Sequence, residues 1–192
     1  MKHRSLKIAI AAASLLPGLL CAAPEKYQVD PEHSFVNYKI RHFGISDSRG
    51  TFRDFSGSFT LDREDPTKSS FDFEVDAESV SSNNASRDKF IKSPDFLNTK
   101  QFPAITFESQ STKKISDKEY EVTGQLTLGA ETKPVTAKLV QIGAGKGPKG
   151  DDRIGGEVTF TVKRSEFGMN QLLDKLGDEI HITVGVEAFK EK

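Results

Sequence analysis

Few residues in this chain are equipped for chemistry. Of four His, three lie beyond the N-terminal segment: His33, His42 and His181. His42 shares the parity of Val36, Tyr38 and Ile40 and ends their row, so it stands where an apolar interior would meet its mouth. That makes it the best single polar candidate for a binding site. His33, in DPEHSF, reads as a pin for the first strand, and His181 falls on the solvent-facing parity of the last strand. Scattered in this way, without paired carboxylate spacing, the three do not compose a metal site. Arg87 and Asp88 open a short helical turn, where adjacent opposite charges bond the local backbone. Asp95, after Ser93-Pro94, reads as the N-cap of a second turn, and Lys89 and Lys92 as solvated. The single Cys, Cys21, leaves the remainder without a thiol or a disulfide. There is no G-x-S-x-G, no phosphate loop and no metal-ligand motif. No catalytic residue is assigned, no metal or cofactor is expected, and the chain is not read as an enzyme.

Apolar surface is what the chain supplies in quantity: fourteen Phe, with no Trp. It is arranged in alternation. Val36, Tyr38 and Ile40 alternate with Asn37, Lys39 and Arg41, and Phe71, Phe73 and Val75 with Asp72, Glu74 and Asp76. Ile105 and Phe107 continue the pattern, then Tyr120 to Leu128, Val135 to Leu139, Ile154 to Val162, and Ile180 to Ala188. With Thr51 to Leu61 this makes eight strands, each burying one face and wetting the other. In Thr51 to Leu61 the apolar parity slips between Phe52 and Phe55, which marks a bulge near Arg53-Asp54 at a bend. Gly143 to Asp152 reads as the mobile stretch. No long helical period interrupts the series, so the fold class is all-β and antiparallel. Strand length favours an eight-stranded barrel over a sandwich, with an interior wide enough for one elongated ligand.

One insert departs from the pattern. Arg87 to Ile91 is a helical turn, Ser93-Pro94 stops it, and strand character returns at Ala104. Phe90, Phe96 and Phe102 punctuate it, and the simplest reading is a short helical lid between strands three and four, with these rings buried beneath it. Phe35, Phe59 and Phe189 are assigned to ordinary core packing.

The first residues are a targeting segment. Lys2, Arg4 and Lys7 precede the apolar run Ile8 to Leu20, followed by small residues, and cleavage is placed after Ala22. The run is shorter than the ~20 residues of a membrane span. Residues 1–22 are therefore a signal peptide and 23–192 a single domain, expected in a bacterial periplasm without stable membrane insertion. Removing the segment takes three basic residues from the 27, leaving 24 against 28 acidic ones. A mildly acidic chain with no basic stripe is not a nucleic-acid binder.

Five stretches carry a likeness to a known family: YQVDPEHSFVNYKIRHFG, GTFRDFSGSF, RDKFIKSPDFLNTKQFPAITFES, VTGQLTLGAETKPV and EFGMNQLLDKLGDEIHITVGVEA. In these elements, their order and their spacing the chain resembles the YceI-like family. The resemblance implies an extended lipocalin-like barrel whose long apolar cavity holds a polyisoprenoid, such as an isoprenoid quinone or a prenyl phosphate. It also implies a periplasmic carrier, with a homodimer as the oligomer. The family often has a His where this chain has Phe90, which makes the site here more apolar. On this reading the lining is Val36, Tyr38, Ile40, His42, Phe71, Phe73, Ile105, Phe107, Leu126, Phe160, Ile182 and Val184, with Phe90 and Phe96 from the insert and Phe167. Two alternatives stay open: an enzyme acting on a bound lipid, and a ligand-free stress-response scaffold.

Overall fold

The structure is a computed structural model that describes residues 23–191. The signal-peptide assignment lies outside the described residues. Among the described residues the strands are β1 (Glu25–Val29), β2 (Phe35–His42), β3 (Ser46–Phe52), β4 (Phe55–Leu61), β5 (Ser70–Asp76), β6 (Val80–Ser81), β7 (Ala104–Lys114), β8 (Glu119–Leu128), β9 (Glu131–Lys146), β10 (Asp152–Lys163) and β11 (Leu176–Lys190), with one α-helix, α1 (Ala85–Ile91). Three pairs of these are single strand paths broken once. A 3-10 turn at Pro31–His33 separates β1 from β2, Arg53-Asp54 separate β3 from β4, and a 3-10 turn at Ala77–Ser79 separates β5 from β6. Eight antiparallel paths remain, and β11 closes the ring by pairing with β2 along one half (Ile182 opposite Tyr38) and with β1 along the other (Ala188 opposite Val29). This is the eight-stranded barrel expected from the alternation and strand length, lipocalin-like as the family resemblance implies, with α1 between the third and fourth paths.

Each break has a local cause. Pro31 carries no N–H for a ladder, and the Asp30 carboxylate accepts from Glu32 N at 3.1 Å. At the parity slip, the Asp54 carbonyl, between β3 and β4, accepts from Asp76 N at 2.9 Å, and Phe52 and Phe55 both pack with the interior cluster around Val36. The stretch expected to be mobile is more ordered than its glycines suggest. Gly143 to Lys146 continue β9, paired with β10, and only the tight turn closed by Gly147 N on Asp151 O (2.8 Å) lies outside the ladder.

One end of the barrel is solid. Tyr27, Phe59 and Phe71 stack in series, with centroids 5.1 and 5.6 Å apart. Leu61, Val122, Ile154 and Ala188 fill the space around them. Phe59 is core, as expected; Phe35 and Phe189 are not. Their odd positions face outward, where Phe189 is half-buried and Phe35 is exposed, its ring lying across Gly185. A Cβ on Gly185 would stand 2.3 Å from that ring, so the glycine is what lets Phe35 lie flat.

Candidate functional site

Above the stacked rings the barrel is hollow. The cavity measures about 690 Å³, within the range of ligand pockets. Every residue read from the sequence as lining lies on its wall, with one exception. Phe167 belongs to the 3-10 turn Arg164–Phe167, after the alternation of β10 has ended, and packs behind the wall against Leu126, Leu128, Val162 and Met169. Phe73 and Phe107 fill the lumen because glycines face them: a Cβ on Gly57 would meet the Phe73 ring at 2.5 Å, and one on Gly124 the Phe107 ring at 2.6 Å.

Three segments build the mouth: the β2–β3 hairpin, α1 with the turns after it, and the loop from Gly168 to Leu176. The Asn84 side chain caps α1 by accepting from Arg87 N at 3.0 Å. Arg87 and Asp88 bond locally, as their adjacency suggests. Arg87 donates to Ser82 Oγ (2.8 Å) and Ser82 O (2.6 Å), while Asp88 accepts from Ser82 N (2.7 Å) and from its hydroxyl. Asp95 caps nothing. In the turns that follow, the Ser93 carbonyl, not the Asp95 side chain, takes Phe96 N (3.0 Å) and Asn98 N (2.9 Å). Lys92 is not free either; it reaches Glu78 at 3.2 Å.

The lid rings are not buried together. Phe96 is half-buried, but Phe90 remains 42 % exposed, its ring 4.5 Å from that of Phe96 and open to the unfilled mouth. Phe102 lies off the cavity, beside the Gly129 turn. The insert is therefore a rim around the opening, not a plug in it.

The loop from Gly168 to Leu176 has no periodic signal, and it was missed in the sequence apart from Phe167 just before it. Met169, Leu172, Lys175 and Leu176 all line the mouth. Buried Arg164 organises the loop. Its guanidinium donates to the carbonyls of Gly177 (3.0 Å), Met169 (2.6 Å), Gln171 (2.7 Å) and Leu176 (3.0 Å). Burial pulls its pKa below the usual guanidinium value, with Asp178 opposing. Nothing in the neighbouring sequence announced this role, because Arg164 reads there as one more polar residue after β10.

Polar groups inside are few. Tyr38 Oη is buried without a hydrogen-bond partner, and burial pushes the phenol up to about 12. Arg87 is close enough to act on it electrostatically. His42 is exposed at the mouth, edge-on to Phe43 at 4.5 Å. His181 bonds Thr161 (2.9 Å) on the outer face. His33 pins its turn through Asp30 (2.9 Å), whose carboxylate holds the imidazole above its ordinary pKa. Asp30, His33 and Glu187 do approach closely enough to hold a cation. The Arg153 guanidinium already fills that role, at 2.6 Å from both carboxylates.

Comparison with known proteins agrees with this architecture. The model of the YceI-like domain matches residues 27–188. Protein YceI of Escherichia coli is 38% identical over 192 residues, covering 100% of both chains. Among solved structures, Burkholderia cenocepacia BcnA superposes with a TM-score of 0.76 at 21% identity, over 83% of this chain and 98% of that one. A Saccharophagus degradans domain described as polyisoprenoid-binding gives 0.66 at 12% identity, over 86% and 98%.

Proposed function

Because this chain belongs to the YceI-like family, we propose that it binds a long-chain polyisoprenoid in the barrel lumen and carries it through the periplasm, without a cofactor and without altering it covalently. The observation that carries this reading is the shape and chemistry of one space. A cavity of about 690 Å³ is closed below by stacked rings, walled by branched aliphatics and Phe, and open at one mouth. At about 0.3 kcal/mol per heavy atom, a chain of roughly thirty carbons gains on the order of 9 kcal/mol, so affinity needs no charge inside. The orphan hydroxyl of Tyr38 then gives the ligand direction. A buried donor without a partner is costly, and an oxygen on the ligand would satisfy it, placing the polar head toward Arg87 and the mouth. The fold neighbour described as polyisoprenoid-binding supports the ligand class, and the signal-like first residues support export.

The test is extraction of the exported protein with organic solvent, followed by mass spectrometry. A polyisoprenoid at near-stoichiometric amount is the expected result. An empty extract sinks the carrier, and conversion of added lipid to a new product replaces it with an enzyme.

A further inference from the structure

The mouth of the cavity carries its own apolar surface, facing outward. Ile45, at the tip of the β2–β3 hairpin, is 84 % exposed and Phe43 is 53 % exposed. Leu172 and Leu173 are exposed on the facing loop, and Phe43 N bonds Lys175 O at 2.6 Å, which ties the two tips together. With Phe90 these side chains form a rim continuous with the apolar lumen, since Phe43, Phe90 and Leu172 also line it.

The backbone holds part of this rim at a cost. Phe43 has φ 52 and Leu172 has φ 56. Large side chains rarely occupy the left-handed region; Asn and Gly do. In the turn closed by Ile45 N on His42 O (3.0 Å), Phe43 and Gly44 both have positive φ, which is the Asn-Gly pattern of a type I′ turn with Phe in the Asn place. Two bulky apolar residues thus sit exposed, in backbone that disfavours them, around one opening. Strain of this kind persists where it serves a function.

Charge on the three rim segments runs against that of the chain. Residues 41–49, 85–91 and 171–176 carry five cations, Arg41, Arg49, Arg87, Lys89 and Lys175, against three carboxylates, Asp47, Asp88 and Asp174. The domain as a whole is acidic. Arg41 and Arg49 share the one carboxylate of Asp47, at 3.3 and 3.7 Å.

We propose that this rim docks on the surface of an anionic bilayer, with Phe43, Ile45, Leu172 and Leu173 entering the headgroup region so that the lumen opens onto the acyl layer. The proposal rests on the lipid-carrier reading for its purpose, but not for its measurement. A long apolar chain leaving a membrane through water would expose its whole length; a docked mouth removes that step. Apolar side chains flanked by cations are the chemistry of reversible interfacial binding.

Flotation with vesicles of equal parts phosphatidylcholine and phosphatidylglycerol, free of any isoprenoid, tests it. The wild type should float with these vesicles, less so at high salt, and hardly at all with phosphatidylcholine alone. The double variant Phe43→Asn, Leu172→Asn should lose most of the bound fraction, roughly tenfold or more. Its thermal unfolding midpoint should hold or rise, because Asn accepts the left-handed backbone. Wild-type protein that stays with the soluble fraction overturns the proposal, as does a double variant that floats unchanged. A rim that instead holds two copies together, shown by a dimer that the variant splits while flotation is unaltered, overturns it as well. Because the vesicles contain no ligand, an empty organic extract would count against the carrier reading alone.

Discussion

At the closed end of the barrel Tyr27, Phe59 and Phe71 stack in series, all buried, and pack with the surrounding aliphatics into one core. At the mouth Phe43 and Phe90 are about half exposed, with ring contacts only to His42 and Phe96. The same residue type thus does opposite work. Below, burial of rings stabilises the fold; above, exposed rings define an opening. Two polar groups show a like contrast. Below, Glu25 accepts from Lys190 (2.7 Å) and Arg63 (3.1 Å), with its partners in place. Within the hollow half, Tyr38 Oη has none.

That contrast can be broken by measurement. The largest effect is expected from Phe59→Ala, which leaves a cavity in the packed end and should cost about 3–5 kcal/mol in chemical denaturation. Loss below 1 kcal/mol would mean the closed end is not the stabilising core. Arg164→Ala should come next, at about 3 kcal/mol, because it strands several loop carbonyls that the guanidinium now satisfies. Hydrogen exchange should show the damage concentrated between residues 165 and 177; uniform loss of protection would assign Arg164 to the global core instead.

Phe90→Ala is the mouth's counterpart to Phe59→Ala. Stability of the lipid-free protein should fall by less than about 1 kcal/mol, while lipid release accelerates roughly tenfold, since interface changes act mainly through dissociation. A large stability loss with unchanged release would make the insert a plug and erase the distinction between the ends. Tyr38→Phe sharpens the comparison further. It removes an unpaired buried hydroxyl, so lipid-free stability should hold or improve slightly. Affinity for a lipid with an oxygen-bearing head should drop several-fold, while that for a plain hydrocarbon of equal length should not. Equal affinities for both would deny Tyr38 any part in orientation.

The smallest effect concerns pH at the closed end. Hydrogen bonding to Lys190 is the main cause that lowers the Glu25 carboxyl from 4.5 to about 2. A carboxyl lowered by folding stabilises above its unfolded pKa, so this contribution is complete above about pH 4.5 and drains away as pH falls toward 2. Glu25→Gln should flatten that part of the stability profile between pH 5 and pH 2, leaving the neutral value slightly reduced. An unchanged acid limb in the variant would refute the assignment.

Eight strands, their inward faces and the parity slip at Arg53-Asp54 were legible in the sequence because alternation is a local property. Side chains two apart on a strand share a face whatever the strand pairs with. The same rule identified Val36, Tyr38, Ile40 and Ile182 as wall, and the loss of alternation is why it misplaced Phe167. The lid was visible as an interruption, but whether Phe90 was covered depended on what stood across the mouth. Only the closed ring could decide that. Closure brings Glu187 and Arg153 to Asp30 and Lys175 to Phe43, none of which any spacing announces. Alternation and strand length together point to a barrel with an apolar interior. Which end is sealed, which is open, and that Tyr38 Oη stays unpaired are set by the closed ring, because those depend on partners distant along the chain.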